Sequence, residues 1–275
     1  MLSRPLLERT AFFGISWYAI LIVGAIVFGL ILCTREARRL HLPQDLVVDF
    51  LLYAIPLGII GARLYYVLFR FGDYSDNLLA IFDIRGGGLA IYGGVIGGLI
   101  AARLVSRKDG VPVLTLLDLV APALALGQGI GRWGNYIIME AYGLRIAEPY
   151  LQFFPFAVEI PVGDVWYWHM ATFFYESVWC LAVFAVLMAT RRRYTHSGDV
   201  LCWYAVLYGA ERAIVEGMRT DSLYLGGVRM SQLLSMLMIL AVLVLFFARR
   251  RHRTAGDVAA LAAGCALGAG LIAFT

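Results

Sequence analysis

The chain has 275 residues, 61% of them hydrophobic and only 15% charged, with a formal net charge of +4. A soluble domain is about 45–50% apolar and about 25% charged, so this chain could not cover a soluble fold with polar surface. Its 13% aromatic content and long apolar runs exclude disorder as well.

What remains is a membrane protein. Its apolar runs are unbroken over roughly twenty residues, which specifies helices; barrel strands would alternate over about ten. In chain order, seven spans are predicted at 12–33, 46–69, 86–106, 112–130, 166–190, 199–217 and 230–248. A weaker Ala/Gly-rich stretch follows at 256–274, which spans, lies in the interface or packs on the bundle. The first run is too long for a signal peptide and no small-residue cleavage site follows it. The expected fold is therefore all-α, a polytopic membrane helical bundle forming one integral domain over 1–275. A small outward-facing cap is expected at 131–165, with a basic segment and the weak apolar tail at 249–275.

Short-loop basic residues orient the bundle. One set of loops carries thirteen (Arg35, Arg38, Arg39, Arg103, Arg107, Lys108, Arg191 to Arg193, Arg249 to Arg251 and Arg253) and the opposite set eight. The richer set is placed in the cytoplasm and the N-terminus outside. Only Lys108 among the 23 basic residues is a lysine, so an arginine alone does not signal phosphate. Cys33, Cys180, Cys202 and Cys265 stand singly in or beside apolar runs, which suits helix packing rather than a disulfide framework or a metal site.

Ionisable residues inside spans are costly, and each is a functional candidate. Here they are Asp49, Arg63, Asp118, Glu176, Glu211, Arg212 and Glu216. Three polar stretches lie at the outer ends of spans. The first, Gly127 to Gly143, contains a formal GxGxxG at Gly129, Gly131 and Gly134. It follows an apolar helix rather than a strand, so it is no dinucleotide fingerprint. It reads as a flexible backbone bringing Arg132, Asn135 and Glu140 to the lipid–water boundary. Arg132 there either grips a phosphate diester bidentately or merely anchors to bulk headgroups. The second stretch runs from Gly209 to Asp221, where Arg212 and Glu216 share a helical face and can pair. The third, Asp83 to Gly98, is rich in glycine, which permits close helix packing and equally forms thin walls around a ligand near Tyr92. A transporter would place polarity at mid-membrane in several spans and repeat itself in a second half; this chain does neither. His41, His196 and His252 lie with cytoplasmic charge, and His169 reads as hydrogen-bonded interface beside the aromatic belt Trp166 to Trp168.

Gly131-Arg-Trp-Gly-Asn-Tyr136, with Glu140 and Gly143, resembles the signature of the prolipoprotein diacylglyceryl transferase family. Similarity extends to Ser16-Trp-Tyr18, Gly61 to Tyr66, the Gly-rich third span, Tyr175-Glu176, Arg212 to Asp221 and Arg229 to Gln232. The resemblance implies a bacterial inner-membrane enzyme that moves the diacylglyceryl group of phosphatidylglycerol onto the lipobox cysteine of a prolipoprotein signal peptide. Glycerol 1-phosphate is released. No cofactor, metal or nucleic acid is implied, and a monomer is expected. Carried over residue by residue, Arg132, Arg212 and Tyr92 are the catalytic candidates. Tyr18, Arg132, Asn135, Glu140, Gly143, Arg212 and Glu216 are the substrate-binding ones. Many relatives carry His where Tyr92 stands. A phenol with a reference pKa of about 10 is a poor base for a thiol near 8.5, so Tyr92 is expected to position substrate while cations assist thiolate formation. Relatives also show a His-Pro pair before Tyr-Glu; here His169 is one place early and Pro is absent, so His169 is given no role.

Overall fold

The structure is a computed structural model that describes residues 14–75, 77–83, 87–193, 196–219, 224–225, 228–229 and 240. The predicted seventh span (Leu240 apart) and the 256–274 stretch lie outside the described residues, as do Arg85, Asp221 and Gln232. Six long helices are described: α1 (Trp17–Arg39), α2 (Leu46–Phe69), α3 (Ile91–Asp109), α4 (Val113–Ile138), α5 (Thr172–Thr190) and α6 (Asp199–Met218). Helices α1, α2, α4 and α5 are long and apolar enough to cross a membrane by length and composition. Helices α3 and α6 fall on predicted spans but carry more charge, at Arg107 to Asp109 in α3 and at Asp199, Glu211, Arg212 and Glu216 in α6.

Two local expectations are corrected. The Gly-rich segment expected as a flexible loop from residue 131 is helical to Ile138. In a bilayer the backbone must satisfy its own hydrogen bonds, and that constraint overrides the weak helix propensity of Gly131 and Gly134. The fifth helix begins at Thr172 rather than at residue 166. Val165–Met170 is instead strand β2, paired antiparallel with β1 (Ala157–Val162) in the register Ala157↔Met170 to Val162↔Val165. Aromatic and β-branched residues favour a strand here, and Gly163, at φ +64°, opens the two-residue turn.

The chain forms two compact units. In the unit of residues 30–120, α2 and α3 cross on their glycines. A Cβ on Gly93 would overlap the carbonyl of Gly61, and one on Gly97 the carbonyl of Leu57. The packing role of the Gly-rich stretch is thus real. Arg63 on α2, 7% exposed, spends its guanidinium on backbone: Nε donates to Ile81 O (2.8 Å), Nη1 to Gly87 O (2.9 Å) and Gly88 O (3.0 Å), Nη2 to Ala80 O and Asp83 O (both 2.7 Å). It pins the segment that leads into α3 and Tyr92. Lys108 pairs with Asp49 at 2.5 Å, tying the ends of the same two helices.

In the other unit (residues 1–29 and 121–275), Ala121 and Ala125 of α4 pack with Val183 and Leu187 of α5 and with Val200 and Tyr204 of α6. A second cluster joins the helix ends to the hairpin: Tyr136, Ile137, Val158, Ile160, Ala171 and Phe173, with Trp17 and Leu21 against it. The 144–146 segment extends the hairpin, Ile146 N donating to Trp168 O (2.8 Å) and Met170 N to Leu144 O (2.9 Å).

Arg63→Ala would remove the hydrogen-bond donors of five carbonyls, each bond worth about 1 kcal/mol. Thermal unfolding in detergent is expected to show a clear fall in apparent Tm; an unchanged Tm would show that these contacts carry no stability.

Candidate functional site

The site is assembled where α4, α5 and α6 approach. A Cβ on Gly129 of α4 would press within 3.1 Å of Leu181 and 3.3 Å of the Ser177 carbonyl on α5. Without one the two helices close up, and Ser177 Oγ donates to Gly129 O (2.8 Å) while accepting from Trp133 Nε1 (3.1 Å). Arg132 lies one turn on from Gly129, and Glu176 precedes Ser177, so this contact sets the two charges against each other.

Glu176 is fully buried. Its Oε2 forms ion pairs with Arg132 Nη2 and with Arg212 Nη1, the latter at 3.2 Å. Arg212 Nη2 also pairs with Glu216 Oε2 at 3.0 Å, as the four-residue spacing predicts. The carboxylate side chains are 1% and 3% exposed, whereas the two arginines retain 16% and 14%. The carboxylates are thus enclosed while the arginine side chains keep some accessible surface. Each guanidinium has five N–H donors in a rigid fork, and the described carboxylate contacts engage only part of that set. This arrangement favours a bidentate oxyanion such as a phosphate.

Most of the remaining sequence candidates belong to the same unit as this cluster. Tyr18 packs its ring on Gly134, where a Cβ would overlap it, half a turn past Arg132. Asn135 follows Arg132 by three residues and is half-buried. Glu140 is exposed, its N–H donating to Asn135 O (3.0 Å), between Met139 and Ala141, which both adopt positive φ. Ala141 O accepts from Thr172 Oγ1 (2.7 Å), which anchors this strained turn to α5. Gly143 sits at a three-way junction. A Cβ there would meet Met170 and Thr172 at 2.8 Å and Met218 O at 3.1 Å. Its carbonyl accepts from His169 Nδ1 (2.9 Å), and it bridges to Arg219. His169 is thus buried on β2 and hydrogen-bonded to backbone. Tyr92 belongs to the other unit, half-buried and 6.0 Å ring to ring from Tyr65.

Glu176 is the residue that sequence reasoning left out of the site. Its signal was present, as an acidic residue inside an apolar span beside a family-like Tyr175. Which arginine it would meet could not be read from one strand of text. Arg63 is the converse, an intramembrane charge spent on carbonyls. Among the described residues no three His, Cys, Asp or Glu side chains converge as metal ligands.

Comparison with known proteins shows the family. The family model "Prolipoprotein diacylglyceryl transferase" matches residues 5–248. The chain is 40% identical over 252 residues to the phosphatidylglycerol–prolipoprotein diacylglyceryl transferase of Streptococcus agalactiae, covering 91% of this chain and 97% of that one. It is 43% identical to the enzyme of the same name from Enterococcus faecalis (87% and 89% covered) and 42% identical to that of Finegoldia magna (87% and 94%).

Removing one member of a buried ion cluster leaves the other charges uncompensated, at a cost of about 3–5 kcal/mol. Glu176→Ala is expected to unfold at markedly lower temperature than wild type, and a double variant Glu176→Ala/Arg132→Met is expected to recover part of the loss. If the single variant unfolds with wild type, the cluster is not a structural keystone.

Proposed function

The chain belongs to the prolipoprotein diacylglyceryl transferase family, and on that premise we propose how its site works. The protein transfers the diacylglyceryl group of phosphatidylglycerol to the lipobox cysteine of a prolipoprotein, the first step of lipoprotein maturation. The observation that carries the reading is the pair of arginines held by one buried carboxylate, with some of their surface accessible.

Arg132 and Arg212 hold the phosphodiester. As the thiolate sulfur attacks the terminal glycerol carbon of the diacylglyceryl group, a C–S bond forms and the C–O bond to phosphate breaks. The electron pair stays on the departing glycerol phosphate, whose charge rises. Two preorganised guanidiniums in a water-poor site favour that charge more than the ground state's, which is where rate acceleration comes from. Glu176 and Glu216 fix the arginines; Tyr18, Asn135, Glu140 and Gly143 shape the approach to the lipid head, and Tyr92 positions the peptide.

The protein is a multi-pass membrane enzyme. We place it in the bacterial inner membrane as a monomer with seven spans and a weak eighth segment, the N-terminus and the site outside, following the loop charges.

Purified protein in nanodiscs containing phosphatidylglycerol, given a synthetic lipobox peptide, is expected to add a diacylglyceryl mass and release glycerol phosphate. Arg132→Ala is expected to lose about 100-fold or more in rate, and Arg132→Lys to remain impaired because an ammonium lacks the planar fork. A folded, lipid-binding wild type that adds no mass would make the chain a non-catalytic relative. Tyr92→Phe is expected to raise the peptide KM by roughly fivefold, the worth of one hydrogen bond; identical kinetics would leave Tyr92 without a role.

A further inference from the structure

The transfer produces a proton, and it needs an acceptor near the two arginines. Guanidiniums have no acceptor site. Glu176 and Glu216 are engaged with arginines. His169 lies on β2 with Nδ1 bonded to Gly143 O, away from the helices that carry the two arginines, and Asp199 lies at the opposite end of α6, about 18 Å from Glu211 along a helix rising 1.5 Å per residue.

Glu211 differs from all of these. It is 2% exposed, and neither of its carboxylate oxygens has a hydrogen-bond partner among the described residues. Burying such a group without partners is expensive, so its retention calls for an explanation beyond packing. It directly precedes Arg212 on α6. Within its electrostatic reach lie Arg132 from α4, Glu176 and Cys180 from α5, Tyr204, Tyr208 and Arg212 on α6, and Arg219 just beyond it. The carbon under attack is one bond from a phosphate oxygen held by Arg132 and Arg212. The nucleophile must therefore come within about 3–3.5 Å of that carbon, in the same neighbourhood as Glu211.

We propose that Glu211 is the proton acceptor for the substrate thiol. The S–H proton passes to a Glu211 oxygen as the sulfur electron pair forms the C–S bond. The C–O bond breaks toward phosphate, and Glu211 then gives the proton to the departing glycerol phosphate, which restores the carboxylate and leaves the balance of atoms and charge closed. With no hydrogen-bond partner among the described residues, both Glu211 oxygens are open to receive a proton. The inference rests on the transferase reading above.

The test compares two peptides, one with the lipobox cysteine and one with selenocysteine in its place, whose selenol is already ionised at neutral pH. Full-length Glu211→Gln in phosphatidylglycerol nanodiscs is expected to lose about 100-fold or more in rate with the thiol peptide. It should keep its bound lipid by native mass spectrometry and react at nearly the wild-type rate with the selenol. Its thiol rate should climb as pH rises through thiol ionisation. Glu211→Asp, which keeps a carboxylate at shorter reach, should show a smaller loss of the same kind and serves if the glutamine variant does not fold. Equal losses on both nucleophiles, or no loss on the thiol, would overturn the proposal while leaving the transferase reading intact. A wild type inactive on both peptides would overturn the transferase reading and this inference together.

Discussion

A single oxygen of Glu176 holds Arg132 and Arg212 together, and the site depends on that contact. Two guanidiniums side by side in a low-dielectric interior repel strongly. A carboxylate placed between them reverses the sign of the local interaction and makes a paired cation site tolerable. Because the three groups come from α4, α5 and α6, the same contact that creates the site also ties three helices together. Buried ion clusters are poor sources of net stability, so the presence of this one points to use rather than to packing.

The contact in turn depends on small residues. Gly129 lets α4 approach α5 closely enough for Ser177 to reach its carbonyl, and that approach carries Arg132 to Glu176. Gly134 leaves room for the Tyr18 ring, and Gly143 lets the hairpin segment, the start of α5 and the end of α6 meet. In lipid, helices gain little from burying apolar surface against one another, so close backbone approach and polar contacts decide which helices pair.

Arginine meets two different fates in this protein. Arg63 has the donors of its guanidinium pointed at five carbonyls and behaves as a staple for the segment before α3. Arg132 and Arg212 face carboxylates and keep some accessible surface. Both kinds are intramembrane charges in Gly-containing motifs, and both satisfy the rule that such a charge must find partners. What separates them is the partner: carbonyl dipoles leave no donors for a ligand, whereas one shared carboxylate leaves several.

Composition and periodicity alone determined that the chain is a helical membrane protein, because apolar runs of bilayer length have no other stable solution. Local spacing also determined the Arg212–Glu216 pair, since a helix places residues four apart on one face. Motif resemblance marked Arg132 and its neighbours, but text order carries no distance between α4 and α5. The helical continuation of α4 through its glycines, the strand at Val165–Met170, the bridging by Glu176 and the burial of Glu211 were decided by tertiary structure. Each depends on which helix faces become neighbours, and that is a property of packing between segments far apart in the chain.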